Sequence, residues 1–333
     1  MLSEARVVDV PEVREDVFAH LSATFEVKIH NYVPNFLGLH NMKWSIAADE
    51  GRLFVKCYHP KRYPLHEESR RRDIERSLSF QNYLHEHANL CPGVLSSNQQ
   101  FIHQTEAGHY YVVMHHVDGQ PLKAGHVSAA HMYQLGKSTG KMHQLLSTFP
   151  CHGAGWKPSL SRMSEKWRMN LSAALEHPNS NDRVLKALEQ QGVILSALDL
   201  SMFDSLEQGW AHWDYWVDNI LVGLNDKISV IDFDTVQYGY SEIDIARILL
   251  SGVLQEGELH LEAARAFVAG YREEHRLASG ILPLAFKLLW CREAYWWLKG
   301  HIDDMSIPPR RFADEMIWLT DRWDELDERY GGL

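Results

Sequence analysis

His212-Trp213-Asp214-Tyr215-Trp216-Val217-Asp218-Asn219-Ile220-Leu221-Val222, followed by Val230-Ile231-Asp232-Phe233-Asp234, is the stretch that decides the reading of this 333-residue chain. Asp214 and Asn219 stand five positions apart, and Asp232 follows Asn219 by thirteen. The apolar runs Ile220–Val222 and Ile228–Ile231, joined across Asn225-Asp226, predict the two short strands of a hairpin. An H-x-D-x-x-x-x-N loop that enters such a hairpin and returns to D-F-D suits phosphoryl transfer. One carboxylate must stand beside an acceptor hydroxyl, while an amide oxygen and a second carboxylate converge on Mg2+, a hard ion that takes oxygen ligands. Read separately, Asp214 and Asp218 would cap a turn and Asp232 would end a strand. The conjunction of His212, the apolar run after Asn219 and the D-F-D at this distance is far rarer than a bare D-x-x-x-x-N.

Upstream, Lys28–Phe36, Met42–Ala47 and Arg52–Tyr58 predict strands, with Asp49-Glu50-Gly51 as a turn between the last two. Glu67–His87 changes to a charged, helically spaced pattern that Pro92 ends, and Phe101–Gln104 and Tyr110–His115 predict two more strands. After Asp118-Gly119-Gln120-Pro121 the composition shifts. Ser128–Leu146, Ser161–Leu175, Asp182–Ala197, Glu258–Arg276 and Leu284–Lys299 predict helices. The expected fold class is α+β: a small lobe with a mixed β-sheet over residues 1–116 and a larger, mainly helical lobe over 117–333.

Composition narrows the partners. Lys and Arg number 33 against 44 Asp and Glu, a net charge of −11, which disfavours a protein that tracks nucleic-acid phosphates. Cys57, Cys91, Cys151 and Cys291 form no CxxC pair, and a chain of this size needs no disulfide staple. No apolar run approaches the roughly 20 residues that span a bilayer, and the acidic start resembles no signal peptide. The expectation is a cytoplasmic protein with reduced thiols, no nucleic-acid partner and no membrane anchor. Oligomeric state is not readable from the sequence.

With these residues in place, the chain resembles the aminoglycoside phosphotransferase/choline kinase-like superfamily, relatives of the eukaryotic protein kinases. HWDYWVDNIL is similar to that family's H-G-D-x-x-x-x-N-x-L, VIDFD to its metal turn, and SEIDIARIL to the helix entry after it. GKMHQLL at Gly140–Leu146 resembles the helix that precedes the substrate subdomain. The resemblance spans nearly the whole chain and implies a bilobal, protein kinase-like fold using ATP (GTP not excluded) and Mg2+. Carried over, it implies Asp214 as catalytic base, Asn219 and Asp232 as Mg2+ ligands, His212 as a loop-holding residue and Asp244 as a structural anchor. Asp234 has two readings, a group reaching a second metal or the substrate, or a solvated turn carboxylate.

The same resemblance makes Lys56 the nucleotide lysine of the first lobe. Its helix carboxylate partner is one of Glu67, Glu68 or Glu75, with Glu75 preferred. Met114, His115, His116 and Val117 are the expected hinge, reading adenine through backbone groups. Two departures stand out. There is no G-x-G-x-x-G loop, only Gly38 between the first two strands, and the usual Gly after the motif His is Trp213. Trp213 thus becomes a candidate for lining the acceptor pocket. Trp290, Glu293 and Trp297 share one helical face and, with Asp303 and Asp304, offer an aromatic, anionic wall for an amine-bearing acceptor. The competing reading is a packing stripe with Glu293 in an internal ion pair with Arg292 or another cation.

Three functions follow in order: a phosphotransferase acting on a hydroxyl of a small molecule of aminoglycoside, choline or homoserine class; a Ser/Thr protein kinase of the bacterial stress-response type, suggested by Lys56-Cys57-Tyr58-His59-Pro60; and a nucleotide-binding, spore-coat-like protein without turnover. The second needs an activation segment, yet only Gln237–Glu242 separates the metal turn from the next helix.

Overall fold

Alternation along the second and third strands settles which side chains of the first sheet face the first helix. In β1 (Ile29–Asn35), β2 (Met42–Ala48) and β3 (Gly51–Cys57), successive side chains point to opposite faces. Trp44, Ile46, Leu53, Val55 and Cys57 are buried together with Val17 and Leu21 of α1 (Pro11–Phe25). The residues between them take the other face, where Val112 and Met114 pack with Ile74 and Leu78 of α2 (Glu68–Ala88). Two further strands, β4 (His103–Gln104) and β5 (Tyr110–His115), complete an antiparallel sheet of order β1-β2-β3-β5-β4. Gly51 makes the β2–β3 turn at φ 122°, a conformation open to glycine and costly for other residues.

The structure, a computed structural model, describes residues 9–36, 40–151, 153–177, 180, 182–306 and 308–333. Gly38 lies outside the described residues, as does the side chain of Asp303. The chain divides into two units, one of Met1–Gln120 with Leu221–Thr235 and one of Pro121–Ile220 with Val236–Leu333. The fold class is α+β, as the strand and helix patterns predict. Ahead of β1 lies α1, a helix that the sequence patterns above do not predict. Pro11 sits at the first helical position, where its missing N–H is not needed, and only Val17 and Leu21 are fully buried. So thin a stripe leaves little periodicity to read. α2 ends as expected, but at Asn89, whose left-handed φ of 50° stops it before Pro92.

The second unit carries α3 (Ala129–Leu146), α4 (Leu160–Glu176), α5 (Asp182–Ala197), α6 (Glu242–Val253), α7 (Leu261–Glu274), α8 (Ile281–Trp297) and α9 (Pro309–Asp321). α9 adds to the helices predicted above, and α6 is the helix that the resemblance places after Gln237–Glu242. Every residue of α6 after Glu242 is buried, so it shows no amphipathic period. α8 starts before Pro283, which falls in the first turn and breaks no helical hydrogen bond. The strands Gln208–Ala211 and Gln237–Tyr240 pair antiparallel, with Gly209 opposite Gly239. They place the start of the 212–219 loop beside the segment that leads into α6. All four cysteines are free thiols, three of them buried. Among the described residues, no helix is long and apolar enough to cross a membrane.

α3 and α7 cross at backbone contact. A Cβ on Gly136 would stand 2.0 Å from the Phe267 carbonyl oxygen, and one on Gly270 would stand 2.1 Å from that of Tyr133. Glycine is required there by space alone. Gly136→Ala must push the helices apart, and the expected loss is about 1–3 kcal/mol of unfolding free energy, the usual scale of overpacking. Chemical denaturation measures it; an unchanged midpoint would show that the crossing tolerates a methyl group.

Candidate active site

In the first unit, a buried ammonium gathers the polar side chains. Lys56 on β3 is 4% exposed, and its Nζ donates to Asp232 Oδ1 and to Asp234 Oδ2, each at 2.6 Å. Burial, the largest single influence, acts to lower the lysine's pKa; Asp232 and Asp234 together outweigh it and hold the group well above its ordinary value. The ammonium therefore stays charged through the neutral range. Asp234 is itself buried, and its Oδ1 accepts the Tyr58 hydroxyl at 3.1 Å. Burial and then the Asp234 charge push the Tyr58 phenol well up, so it remains the donor.

The D-F-D turn explains how both carboxylates reach one lysine. Asp232 adopts φ 66°, a left-handed conformation that Asp tolerates better than most residues, and a short 3-10 turn follows at Phe233–Thr235. Phe233 is buried, so Asp232 and Asp234, two residues apart, flank an anchored ring. Of the two sequence readings of Asp234, the solvated one is wrong. Glu75, expected opposite Lys56, is also placed elsewhere: its carboxylate accepts the N–H groups of Phe101 and Ile102, the latter at 2.8 Å. The buried polar residues of α2 are Ser77 and Gln81 rather than a Glu. The turn carboxylate Asp234 occupies the place expected of the helix carboxylate.

In the second unit, Asp244 organises the H-x-D loop. Completely buried, it accepts the backbone N–H of His212 at 2.7 Å on Oδ2 and that of Trp213 at 2.8 Å on Oδ1. His143 Nε2 lies 3.1 Å from Asp244 Oδ2, and its Nδ1 lies 2.9 Å from the Tyr271 hydroxyl. His212 Nδ1 accepts the Asp214 N–H at 3.3 Å. Asn219 Nδ2 donates to the Asp214 carbonyl at 2.8 Å and to its Oδ2 at 3.1 Å. Those bonds fix the Asn219 amide with its oxygen on the opposite branch. Asp214 is half-buried and Asn219 buried.

Trp213 is not an open pocket wall. It is 4% exposed and takes φ 66°, the conformation for which a Gly is usual after the motif His. Its carbonyl accepts Arg292 Nη2 at 2.8 Å, and the Arg292 guanidinium lies 4.7 Å from its ring centroid. Trp156 meets the ring edge-on at 5.3 Å, and a Cβ on Gly239 would fall 2.4 Å from it. Gly239 makes room for the ring that Gly would not have carried. Trp290 is likewise buried, its N–H spent on Thr320 at 2.9 Å. Glu293 is buried and bound by Arg247 at 2.8 Å, by Arg292 at 2.7 Å and by the Trp297 N–H at 3.2 Å. The stripe Trp290–Glu293–Trp297 is therefore packing around an internal ion pair, because the buried Arg247 guanidinium needs a carboxylate.

Within the expected hinge, His115 N–H donates to the Gly93 carbonyl at 2.9 Å and His116 N–H to that of Arg52 at 3.0 Å, while Met114 Sδ accepts from Gln81. Among the described residues, no group of three or more His, Cys, Asp or Glu is placed to hold a metal. The sequence reading gives no role to Tyr58 or to His143, although K-x-Y and K-M-H carry them within segments already singled out. Arg292 is foreseen only as a partner of Glu293, not as the clamp on Trp213.

The model of the APH family, the phosphotransferase enzyme family, matches residues 34–278. Among solved structures, the chain is similar to an aminoglycoside phosphotransferase from Alicyclobacillus acidocaldarius at 14% identity and a TM-score of 0.64, over 99% of this chain and 96% of that one. It is also similar to a microcompartment-associated aminopropanol kinase at 18% identity and a TM-score of 0.60, covering 94% and 98% of the two chains. A third likeness, at 15% identity, a TM-score of 0.59 and 97% coverage of both, is to an amicoumacin kinase in complex with AMP-PNP, Ca2+ and Ami. At such identities these structures show a shared kinase-like fold. No curated protein matches the sequence. The matched span takes in Lys56, the H-x-D loop and the D-F-D turn, and by it the chain belongs to the APH phosphotransferase enzyme family.

Proposed function

We propose that this phosphotransferase uses ATP and Mg2+ to phosphorylate a hydroxyl of a small molecule, with amine-bearing acceptors of aminoglycoside, choline or homoserine class as first candidates and GTP as the alternative donor. The observation that carries the reading is the buried Lys56 with Asp232 and Asp234 at 2.6 Å, an ammonium preset beside the carboxylate of a metal turn. Lys56 then holds nucleotide phosphates, and Asp234 and Tyr58 position it. Asn219 and Asp232 supply oxygen donors suited to Mg2+, which usually keeps several waters and binds phosphate oxygens as well. Bound there, the ion neutralises charge on the transferred phosphoryl group.

Asp214 is assigned as the base that orients the acceptor hydroxyl and takes its proton. His212, Asp244 and Asn219 hold its loop by the bonds described above. With the N–H groups of His115 and His116 already engaged, the backbone donor to adenine in Met114–Val117 is the Val117 N–H. The division of labour, with the nucleotide in residues 1–116 and acceptor and catalysis in 117–333, belongs to this proposal, as does a cytoplasmic setting. Support for the donor comes from the AMP-PNP in the amicoumacin kinase, and support for an amine-bearing acceptor from the aminopropanol kinase. A protein substrate is disfavoured, because the strand Gln237–Tyr240 runs almost directly into α6 at Glu242 and leaves no activation segment.

An acceptor panel of aminoglycosides, choline, ethanolamine, homoserine and a generic protein, read by ATP consumption, tests the function. Asp214→Ala is expected to lower transfer by roughly 10²–10⁴-fold, the range of general-base catalysis, with an unchanged melting curve. Undiminished turnover removes the mechanism, and nucleotide binding without turnover across the panel favours the coat-like reading. Asp234→Asn is expected to raise the KM for ATP about tenfold with a smaller change in kcat, since a hydrogen bond to a charged group contributes about 1.5–3 kcal/mol. Steady-state kinetics at varied ATP give that split, and an unchanged KM would show that Lys56 holds its place without Asp234.

A further inference from the structure

We propose that Lys43 is a second cationic contact for the phosphates of a nucleoside di- or triphosphate, taking the part that a glycine-rich loop plays elsewhere. The inference rests on the nucleotide reading of Lys56. Lys43 lies on β2 directly opposite Lys56 on β3, and Asn35 on β1 lies directly opposite Lys43. The three form one row across the sheet, on the face away from α1, because Trp44, Val55 and Cys57 fill the α1 side. Lys43 thus shares the face on which Lys56 meets Asp232 and Asp234.

Two like charges directly opposite each other, with Cβ atoms about 4.5–5.5 Å apart, destabilise a strand pair. Here Lys56 is buried and Lys43 half-buried. Burial draws the Lys43 pKa down and Lys56 adds to that, while Asp232 and Asp234 draw it back up, so the second ammonium feels the same two carboxylates. A lysine whose only task was solubility would gain nothing from this position.

An arriving polyphosphate changes the balance. Its divalent cation, held by Asp232, would weaken that carboxylate's hold on the lysines, and the roughly four negative charges of a triphosphate exceed what one divalent cation and one lysine neutralise. Glycine-rich loops supply this compensation through backbone N–H groups. The segment between β1 and β2 has a single glycine and no G-x-G-x-x-G. A strand-borne ammonium one residue into β2, immediately after that segment, supplies charge where the loop does not.

The test is calorimetric binding of ATP, ADP, AMP and adenosine to the full chain with Mg2+, for wild type, Lys43→Met, Lys43→Arg and Lys56→Met. Lys43→Met is expected to weaken ATP about tenfold or more, ADP less, and adenosine less than twofold, with Lys43→Arg within about threefold of wild type for ATP. Wild-type ATP affinity in Lys43→Met, while Lys56→Met loses it, overturns the assignment of Lys43 and leaves the nucleotide reading standing. Equal weakening of adenosine and ATP makes Lys43 a structural residue and also overturns it. A wild-type chain that binds no nucleotide sinks the underlying reading first. Should Lys43→Met not fold, Lys43→Gln against Lys43→Arg provides the same contrast.

Discussion

A buried ammonium is tolerable only when its charge is met, and Lys56 imposes that condition on the whole first unit. Removing a charge from water leaves an effective penalty of several kcal/mol per ion, which only close and well-directed partners offset. The partners are two carboxylates from one turn, and that turn exists because Asp232 accepts a left-handed φ and Phe233 is anchored in the interior. The hairpin Ile220–Val222/Ile228–Val230 carries the turn to the sheet, and the Val230 N–H is tied to the Leu90 carbonyl at 2.8 Å, just past the end of α2. The lysine, the hairpin and the end of α2 are thus mutually dependent. A change at any of them would be felt at the Lys56 Nζ.

The second unit uses the opposite device, a buried anion that gathers donors. Asp244 faces two backbone N–H groups and a histidine, so its charge is spread over three partners while it sets the start of the H-x-D loop. Trp213 in the left-handed region costs about 1–2 kcal/mol relative to a relaxed backbone. The Asp244 and Arg292 bonds on either side of it, with the ring held beside Trp156, offset that cost. Gly239 is the local consequence. A ring at 213 and a side chain at 239 cannot coexist without one of them moving.

What the sequence disclosed follows from how local each feature is. The strands of the first sheet, the hairpin at Asn225-Asp226 and the spacing of Asp214, Asn219 and Asp232 are written in short-range pattern. The turn at Asp49-Glu50-Gly51 is likewise legible, because the need for a positive φ marks the glycine. Partner choice is not local. Glu75 and Asp234 are both acidic residues at plausible distances in sequence from Lys56; only the α2 helix phase, which sends Ile74, Ser77, Leu78 and Gln81 inward, shows that the lysine's second carboxylate must come from elsewhere. α6 escaped pattern because it is buried nearly all round, and α1 because its buried stripe is two residues wide.

The same non-locality bears on acceptor choice. A net charge of −11 invites an anionic pocket for an amine, and Glu293 beside two tryptophans looks like its wall. In the structure Arg247 meets both Glu293 and Glu315, and Arg292 adds a second guanidinium to Glu293, so these acids are neutralised where they stand. The acidic surplus must then reside on other residues. Close to the loop, Asp218 is 40% exposed and only loosely paired, with Arg311 at 3.4 Å, while Asp214 itself is half-buried. Selectivity for an amine, if it arises from charge, has more to gain from such partly hydrated carboxylates than from the buried stripe, because a buried and already paired acid has no remaining field to offer a ligand.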